Sequence, residues 1–236
     1  MGKVAFLFAG QGAQHPGMGA GIAAASPAAR AVFDAADSVR PGTFEQCCQG
    51  TKEELSQTEN TQPCVFATDL ACARALEERG VEPDVVAGFS LGEAAALTFA
   101  GAFSDKKGFE LVCRRAELMA AAASSHPGAM RAVVKLDAAR VEELAAEAGE
   151  KTDGDCWPVN YNSPMQTVVA GSPTACEKLD ELVRGAGGRA MKVAVSGAFH
   201  SPYMADAAAG LAAALDGNEP AAMRVPVLAN RTAHPY

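Results

Sequence analysis

Residues 84–97, DVVAGFSLGEAAAL, place a glycine-bounded serine between a short apolar run and a stretch of good helix formers. Residues 84–87 are typical of a buried strand, and residues 93–97 favour a helix. The pentapeptide Gly88–Gly92 matches the G-x-S-x-G pattern, in which a strand turns sharply into a helix. The chain is therefore predicted to adopt an α/β fold with Ser90 on the corner, its Oγ near backbone N–H groups of the new helix.

Ser90 has two interpretations. A corner serine beside helix N–H groups can act as an acyl acceptor, because the elbow exposes its Oγ. The same residues could also form a glycine-bounded turn in which the serine only caps the helix. The strand before the pentapeptide and the helix after it favour the nucleophile.

Length and composition indicate a globular protein. The 236 residues suffice for one sizeable α/β domain, or for one domain with a small insertion. Hydrophobic residues make up 49% and charged residues 20% of the chain. The net charge of -8 argues against nucleic-acid binding as a main function. The first twelve residues do not resemble a signal peptide, and no segment is long enough to span a bilayer.

The seven cysteines are odd in number, and no two have C-x-x-C spacing. We interpret them as reduced thiols of a cytoplasmic protein, mostly buried as small apolar side chains. A structural zinc site is not expected.

The order of predicted elements suggests two subdomains. Helices are predicted at 26–38, with Ser26 as cap, and at 63–79 and 105–123. From residue 129 to residue 195 the predicted order is β-α-β-β-α-β, which is that of a ferredoxin-like unit. Residues 126–196 are therefore expected to form a small ferredoxin-like subdomain, inserted in a large α/β part with mostly parallel strands made of 1–125 and 197–236.

A serine nucleophile needs a base, and the chain contains four histidines. His200 is the best candidate, because it lies downstream of the serine between a predicted strand and a predicted helix. His126 and His234 adjoin prolines in surface connections, and His15 lies in a glycine-rich turn. The alternative for His200 is a loop histidine bonded to the backbone.

Stabilising an oxyanion requires two N–H donors aimed at one point. The N–H of Leu91, directly after Ser90, is one candidate, and Gln11 in the loop after the first strand is the other. Gly10 and Gly12 would let that loop approach closely. These glycines could instead form a simple strand-to-helix turn. A dinucleotide fingerprint fits less well, because the third glycine and the acidic residue are missing.

Six motifs together are similar to those of the malonyl-coenzyme A:acyl carrier protein transacylase family, which includes the acyltransferase domains of fatty acid and polyketide synthases. They occur in the family's order: GQGAQ (10–14), GFSLGE (88–93), LVCRRAELM (111–119), VNYNSP (159–164), VVAG (168–171) and GAFHSPYM (197–204). The resemblance implies transfer of a malonyl group from coenzyme A to acyl carrier protein. It implies no cofactor besides the coenzyme A thioester substrate.

The resemblance also implies catalytic roles for particular residues. Ser90 corresponds to the acylated serine and His200 to the general base. Gln11 and the Leu91 N–H correspond to the oxyanion hole.

Further positions correspond to substrate-binding residues of the family. Arg115 matches the arginine that grips the free malonyl carboxylate, whereas Arg114 points about 100° away on a helix. Asn160 matches an asparagine near the histidine, and Phe199 is typical of malonyl-selective members. Phe89 stands where the family usually has histidine, in a position to shape the pocket.

The family pattern continues with further helices beyond the match to Tyr236, and the residue that orients the histidine lies there. The expected enzyme is thus a malonyltransferase without that C-terminal segment. A monomer that uses malonyl-coenzyme A and acyl carrier protein is the default expectation. Two alternatives stay open: a serine thioesterase or hydrolase, and a truncated, non-catalytic module that docks carrier protein.

Overall fold

Helices and strands are interspersed along the chain, which confirms the α/β class. The computed structural model describes residues 2–195 and 197–236. Its elements in chain order are β1 (Ala5–Phe8), α1 (Ala20–Ala25), α2 (Pro27–Val39), α3 (Thr43–Gln49), α4 (Lys52–Leu55), α5 (Thr58–Glu78), β2 (Val85–Gly88), α6 (Leu91–Ala100), α7 (Asp105–Ser125), β3 (Ala129–Val134), α8 (Ala138–Thr152), β4 (Cys156–Ser163), β5 (Gln166–Gly171), α9 (Pro173–Gly185), β6 (Arg189–Lys192), α10 (Ala205–Leu215) and β7 (Val227–Leu228). Ser26 caps α2 through its side chain, as the sequence predicted.

The contacts divide the chain into two units. The first unit contains the residues up to Glu117 together with Leu211–Tyr236. The second unit is Leu118–Gly210. The predicted small subdomain, 126–196, lies within the second unit, which also takes in the end of α7 and residues 197–210.

The first unit contains a three-stranded parallel sheet in the order β1-β2-β7. Side chains alternate across β1, so Phe6 and Phe8 point to one face and Leu7 to the other. Both phenylalanine rings pack on Phe99 of α6, at centroid distances of 5.5 and 5.8 Å. Leu7 is 80% exposed. The sheet therefore presents its buried face to the helix that follows the elbow.

The second unit contains a four-stranded antiparallel sheet in the order β4-β5-β3-β6. One hydrophobic cluster joins this sheet to α8 and α9 through Val133, Val169, Leu144 and Leu179. The amphipathic pattern of both helices accounts for this packing, since each buries one stripe of apolar residues.

Residues 197–210 belong to the second unit because their apolar side chains pack there. Ala198, Phe199 and Met204 share a buried cluster with Met119 of α7 and Met130 of β3. The segment that carries the predicted base is thus anchored on the antiparallel sheet of the second unit.

The prediction of a helix starting at Pro63 was wrong. Helix α5 begins at Thr58 and contains Pro63. A proline inside a helix removes one backbone hydrogen bond, but here the buried residues Thr61 and Gln62 on the preceding turn still pack inward. The last two strands are short: β6 ends at Lys192 and β7 has two residues.

Candidate active site

Ser90 lies between β2 and α6 in a strained backbone conformation, with φ 53° and ψ −103°. Positive φ favours glycine, and for another residue such a conformation costs about 1–3 kcal/mol. It persists only where surrounding contacts hold it, and such residues cluster at functional sites. The elbow expected from the G-x-S-x-G pattern is therefore present as a strained corner.

Gly88 shows why the corner needs small residues. A Cβ on Gly88 would lie 1.9 Å from the carbonyl carbon of Gly92, which is far inside contact distance. The N–H of Gly92 donates to the carbonyl of Phe89 at 2.9 Å, which closes the turn. The end of the strand touches the first turn of the helix, and the chain can turn this sharply only because Gly88 has no side chain.

The loop after β1 approaches the elbow closely. A Cβ on Gly10 would lie 2.6 Å from the carbonyl oxygen of Phe89. Gln11 follows directly, and its Nε2 donates to Oγ1 of Thr58 on α5 at 3.4 Å. Leu91 is the first residue of α6. The two residues predicted for the oxyanion hole thus flank the elbow within the first unit.

Arg115 of α7 reaches the same corner. Its Nη2 donates to Oγ of Ser90 at 3.4 Å, and its Nη1 donates to Oε1 of Gln62. Arg114, by contrast, is exposed and pairs with Glu117 on its own helix. Of the two neighbouring arginines, the one that the resemblance implied is the one beside the serine.

Burial lowers the pKa of the Arg115 guanidinium to about 10, and the negative charge of Glu93 opposes that shift. The group stays protonated at neutral pH, since its pKa lies well above 7. A desolvated cation gains more from a carboxylate partner than an exposed one does. Arg115 therefore supplies a fixed positive charge next to the serine Oγ.

Gln62 and Thr58 are site residues that the sequence prediction missed. Both are almost completely buried on α5. The sequence pattern places the start of this helix at Pro63, so both residues fall outside the predicted helix. A run of polar residues, TENTQ at 58–62, directly before an apolar helical pattern was the available signal.

His200 is exposed and also has a positive φ, 63°. The next residue, Ser201, donates to the carbonyl of Ala198 at 2.6 Å and accepts from the N–H of Tyr203 at 3.3 Å. These local bonds hold the loop while Phe199 fills the core beneath it. Like Ser90, His200 sits in a conformation that costs free energy and that its surroundings maintain.

The three remaining predicted residues lie in different surroundings. Phe199 is 4% exposed, within the cluster on the antiparallel sheet. Asn160 pairs with Val168 of that cluster, next to a bulge in β4. Phe89 belongs to the first unit and is 48% exposed beside Ser90. Phe199 and Asn160 therefore accompany His200 in the second unit, and Phe89 accompanies Ser90 in the first.

All seven cysteines are free thiols. Within residues 2–195 and 197–236, no three His, Cys, Asp or Glu side chains come together in a group that could hold a metal ion. In the same part of the chain, no helix is both long enough and apolar enough to cross a membrane.

Comparison with known proteins shows which family the chain resembles. The family model described as "Acyl transferase domain" matches residues 5–235. The malonyl CoA-acyl carrier protein transacylase of Bacillus subtilis (strain 168) is 38% identical over 236 residues, a match that covers 99% of this chain and 74% of the relative.

Solved structures of two related proteins have the same fold. The malonyl CoA-acyl carrier protein transacylase from Clostridium perfringens superposes with a TM-score of 0.93 at 33% identity, covering 100% of this chain and 74% of the other. A complex of a type II PKS acyl-carrier protein with its malonyl-transacylase also gives a TM-score of 0.93, at 35% identity, covering 100% and 76%.

The chain belongs to the acyl transferase domain family. Within that family, the relatives described above are named as malonyl CoA-acyl carrier protein transacylases or as the malonyl-transacylase of a type II PKS acyl-carrier protein.

Proposed function

We propose that this protein transfers a malonyl group from coenzyme A, through an ester on Ser90, to the phosphopantetheine thiol of acyl carrier protein. The hydrogen bond between Arg115 and Ser90 carries the proposal. The carboxylate of a malonyl group lies one methylene from the reacting carbonyl. An arginine that reaches the serine Oγ therefore also reaches that carboxylate.

In the first half-reaction His200 removes the proton from Ser90 Oγ, which attacks the thioester carbonyl. The oxyanion accepts hydrogen bonds from the Leu91 N–H and from Gln11. The carbon–sulfur bond then breaks, and coenzyme A leaves with the proton that His200 returns. In the second half-reaction the carrier thiol gives its proton to His200 and attacks the ester, and Ser90 regains a proton. The coenzyme A thioester is a substrate, and no step calls for a further cofactor.

Arg115 selects the acyl group. A planar guanidinium binds a carboxylate through two parallel hydrogen bonds, each contributing about 1.5–3 kcal/mol. Gln62 holds one guanidinium nitrogen, so the group is oriented before substrate arrives. An acetyl thioester would offer the guanidinium no carboxylate, so those charged hydrogen bonds would not form. Asn160, Phe199 and Phe89 complete the substrate site in this proposal.

We also propose a hydrolase-like three-layer core for the first unit and a ferredoxin-like fold for the second. The β-α-β-β-α-β order and the strand order β4-β5-β3-β6 support the second assignment. A cytoplasmic location is proposed as well, and the seven free thiols support it.

The test is intact-mass spectrometry after incubation with malonyl-coenzyme A. Wild-type protein is expected to gain one malonyl group, which Ser90→Ala does not gain, and to lose it when carrier protein with a free phosphopantetheine thiol is added. Rapid release of free malonate in the absence of carrier protein would indicate a hydrolase. Binding of carrier protein without any adduct would indicate a docking module and would overturn the proposal.

A further inference from the structure

Asn230, in the turn after β7, bonds to the serine elbow on both sides of the corner. Its Oδ1 accepts a hydrogen bond from the N–H of Ser90 at 2.7 Å. Its Nδ2 donates to the carbonyl oxygen of Gly88 at 2.5 Å. One primary amide supplies both the acceptor and the donor. Asn230 is 140 residues away from Ser90 in sequence, so only the tertiary fold brings them together.

The side-chain amide of Asn230 continues the hydrogen bonding between β2 and β7 beyond their last paired residues. Strand β7 pairs with β2 at Val86 and Ala87, and the chain then turns away. The next polar groups of the β2 end, the carbonyl of Gly88 and the N–H of Ser90, bond to the Asn230 side chain instead. The side chain therefore acts as one further step of the β2–β7 ladder, at the corner itself.

Glu93 holds Asn230 in place. Its Oε1 accepts from the N–H of Asn230 at 2.6 Å and from the hydroxyl of Tyr236 at 2.9 Å. Glu93 lies in the first turn of α6, the helix that follows Ser90. Partial desolvation and the hydrogen bond to Glu93 raise the pKa of Tyr236 to about 12, so the phenol remains a donor at neutral pH. The turn after β7 is thus tied to both arms of the elbow.

We propose that Asn230 is a positioning residue that holds Ser90 in its reactive backbone conformation. The proposal rests on the proposed role of Ser90 as nucleophile. A serine at φ 53° relaxes unless its neighbours over-determine that conformation. Asn230 bonds to the Gly88 carbonyl and to the Ser90 N–H, beside the strained torsion angles. Its loss therefore lets the Ser90 Oγ move away from Arg115 and from the direction in which it attacks the thioester.

The first test replaces Asn230 with alanine and measures the single-turnover rate of Ser90 acylation by malonyl-coenzyme A. We expect a rate about 100-fold lower at saturating substrate, the size of effect that a misplaced reacting group produces. The concentration for half-saturation should stay unchanged, because Arg115 and Gln62 are untouched. Asn218→Ala is the matched control, since the side chain of Asn218 donates to the nearby backbone carbonyls of Ala214 and Asp216. It is expected to acylate at the wild-type rate.

A second variant separates positioning from general destabilisation. Asn230→Asp keeps the acceptor for the Ser90 N–H but, when ionised, sets an oxygen against the Gly88 carbonyl. When protonated, the same carboxyl can donate to that carbonyl. The acylation rate of Asn230→Asp, divided by the wild-type rate at each pH, should therefore rise as the pH falls from 8 to about 5.

The outcomes are distinct. A wild-type rate in Asn230→Ala, or a pH-independent rate ratio in Asn230→Asp, would overturn the positioning role. If the alanine variant does not fold, as judged by circular dichroism, the pH dependence of the Asn230→Asp rate ratio alone tests the positioning role. Absence of any adduct on the wild-type protein would instead refute the proposed function.

Discussion

Arg115 of α7 and Gln62 of α5 are joined by a hydrogen bond from Nη1 to Oε1, which leaves Nη2 aimed at Ser90 Oγ. Gln62 is completely buried, Arg115 is half-buried, and desolvation lowers the pKa of its guanidinium. The glutamine carbonyl thus turns a flexible arginine into an oriented one. Orientation before binding reduces the entropy that is lost when the carboxylate arrives.

Gln62→Met should weaken the recognition of malonyl groups. Methionine fills a similar volume but accepts no comparable hydrogen bond, so Nη1 loses its buried partner. A lost buried partner costs about 1–3 kcal/mol, which predicts a KM for malonyl-coenzyme A roughly tenfold higher or more. Steady-state kinetics check this. The control is Gln49→Met at an exposed position of α3, and an unchanged KM in Gln62→Met would show that Gln62 does not orient the arginine.

Arg115→Ala should change substrate preference and not only rate. Removal of the guanidinium takes away charged hydrogen bonds that only malonyl substrates make, each worth about 1.5–3 kcal/mol. Malonyl transfer should therefore fall at least tenfold more than acetyl transfer, measured as kcat/KM for both thioesters. Arg114→Ala, which removes a half-exposed pair with Glu117, should alter neither. Equal losses for the two substrates would contradict the role of Arg115.

Gly88→Ala should destabilise the protein. The added methyl group would collide with the Gly92 backbone, and neither segment can move without distorting the sheet or the helix. Overpacking of this kind costs about 1–3 kcal/mol. Gly21→Ala is the matched control, because a Cβ there meets nothing within 4 Å and lies in helix α1. Urea denaturation should show a lower midpoint for the first variant and an equal or higher midpoint for the second.

The raised pKa of Asp69 predicts that the stability of the protein depends on pH. Burial raises the pKa of its carboxyl to about 7, although the N–H of Ala9 opposes the shift. Its Oδ2 is buried and has no hydrogen-bond partner among the residues described. Because the unfolded pKa is near 3.9, the folded state holds the proton more tightly. This group therefore favours folding at low pH, and its contribution falls as the pH rises from about 4 to about 7.

Asp69→Asn removes that dependence, because the amide does not titrate. Relative to wild type, the free energy of unfolding of the variant should be higher at pH 8 than at pH 5.5, by on the order of 1 kcal/mol. Urea denaturation at the two pH values measures the difference. Cys72 lies on the same helix, and desolvation and the charge of Asp69 raise the pKa of its thiol. Cys72→Ala therefore serves as the companion variant. A constant difference between Asp69→Asn and wild type at both pH values would contradict the prediction.

Local pattern was enough to locate the elbow. Strand β2, helix α6 and Ser90 between them follow from an apolar run, two glycines and a run of helix formers within fourteen residues. The order of elements in the second unit was predictable for the same reason. Each strand and helix there has its own hydrophobic period, and the two helices have their own N-caps, Asp137 before α8 and Ser172 before α9.

The sequence by itself therefore determined the α/β class, the strained serine corner and the arginine of the LVCRRAELM motif. Only the tertiary structure decided which distant polar groups surround that corner: Gln62 on the arginine, Thr58 on Gln11, and Asn230 on Ser90. These contacts join residues 47 to 140 positions apart. Hydrophobic periodicity reports which face of an element is buried, whereas the partner of a buried polar group depends on how the elements pack, and one sequence pattern is compatible with many such pairings.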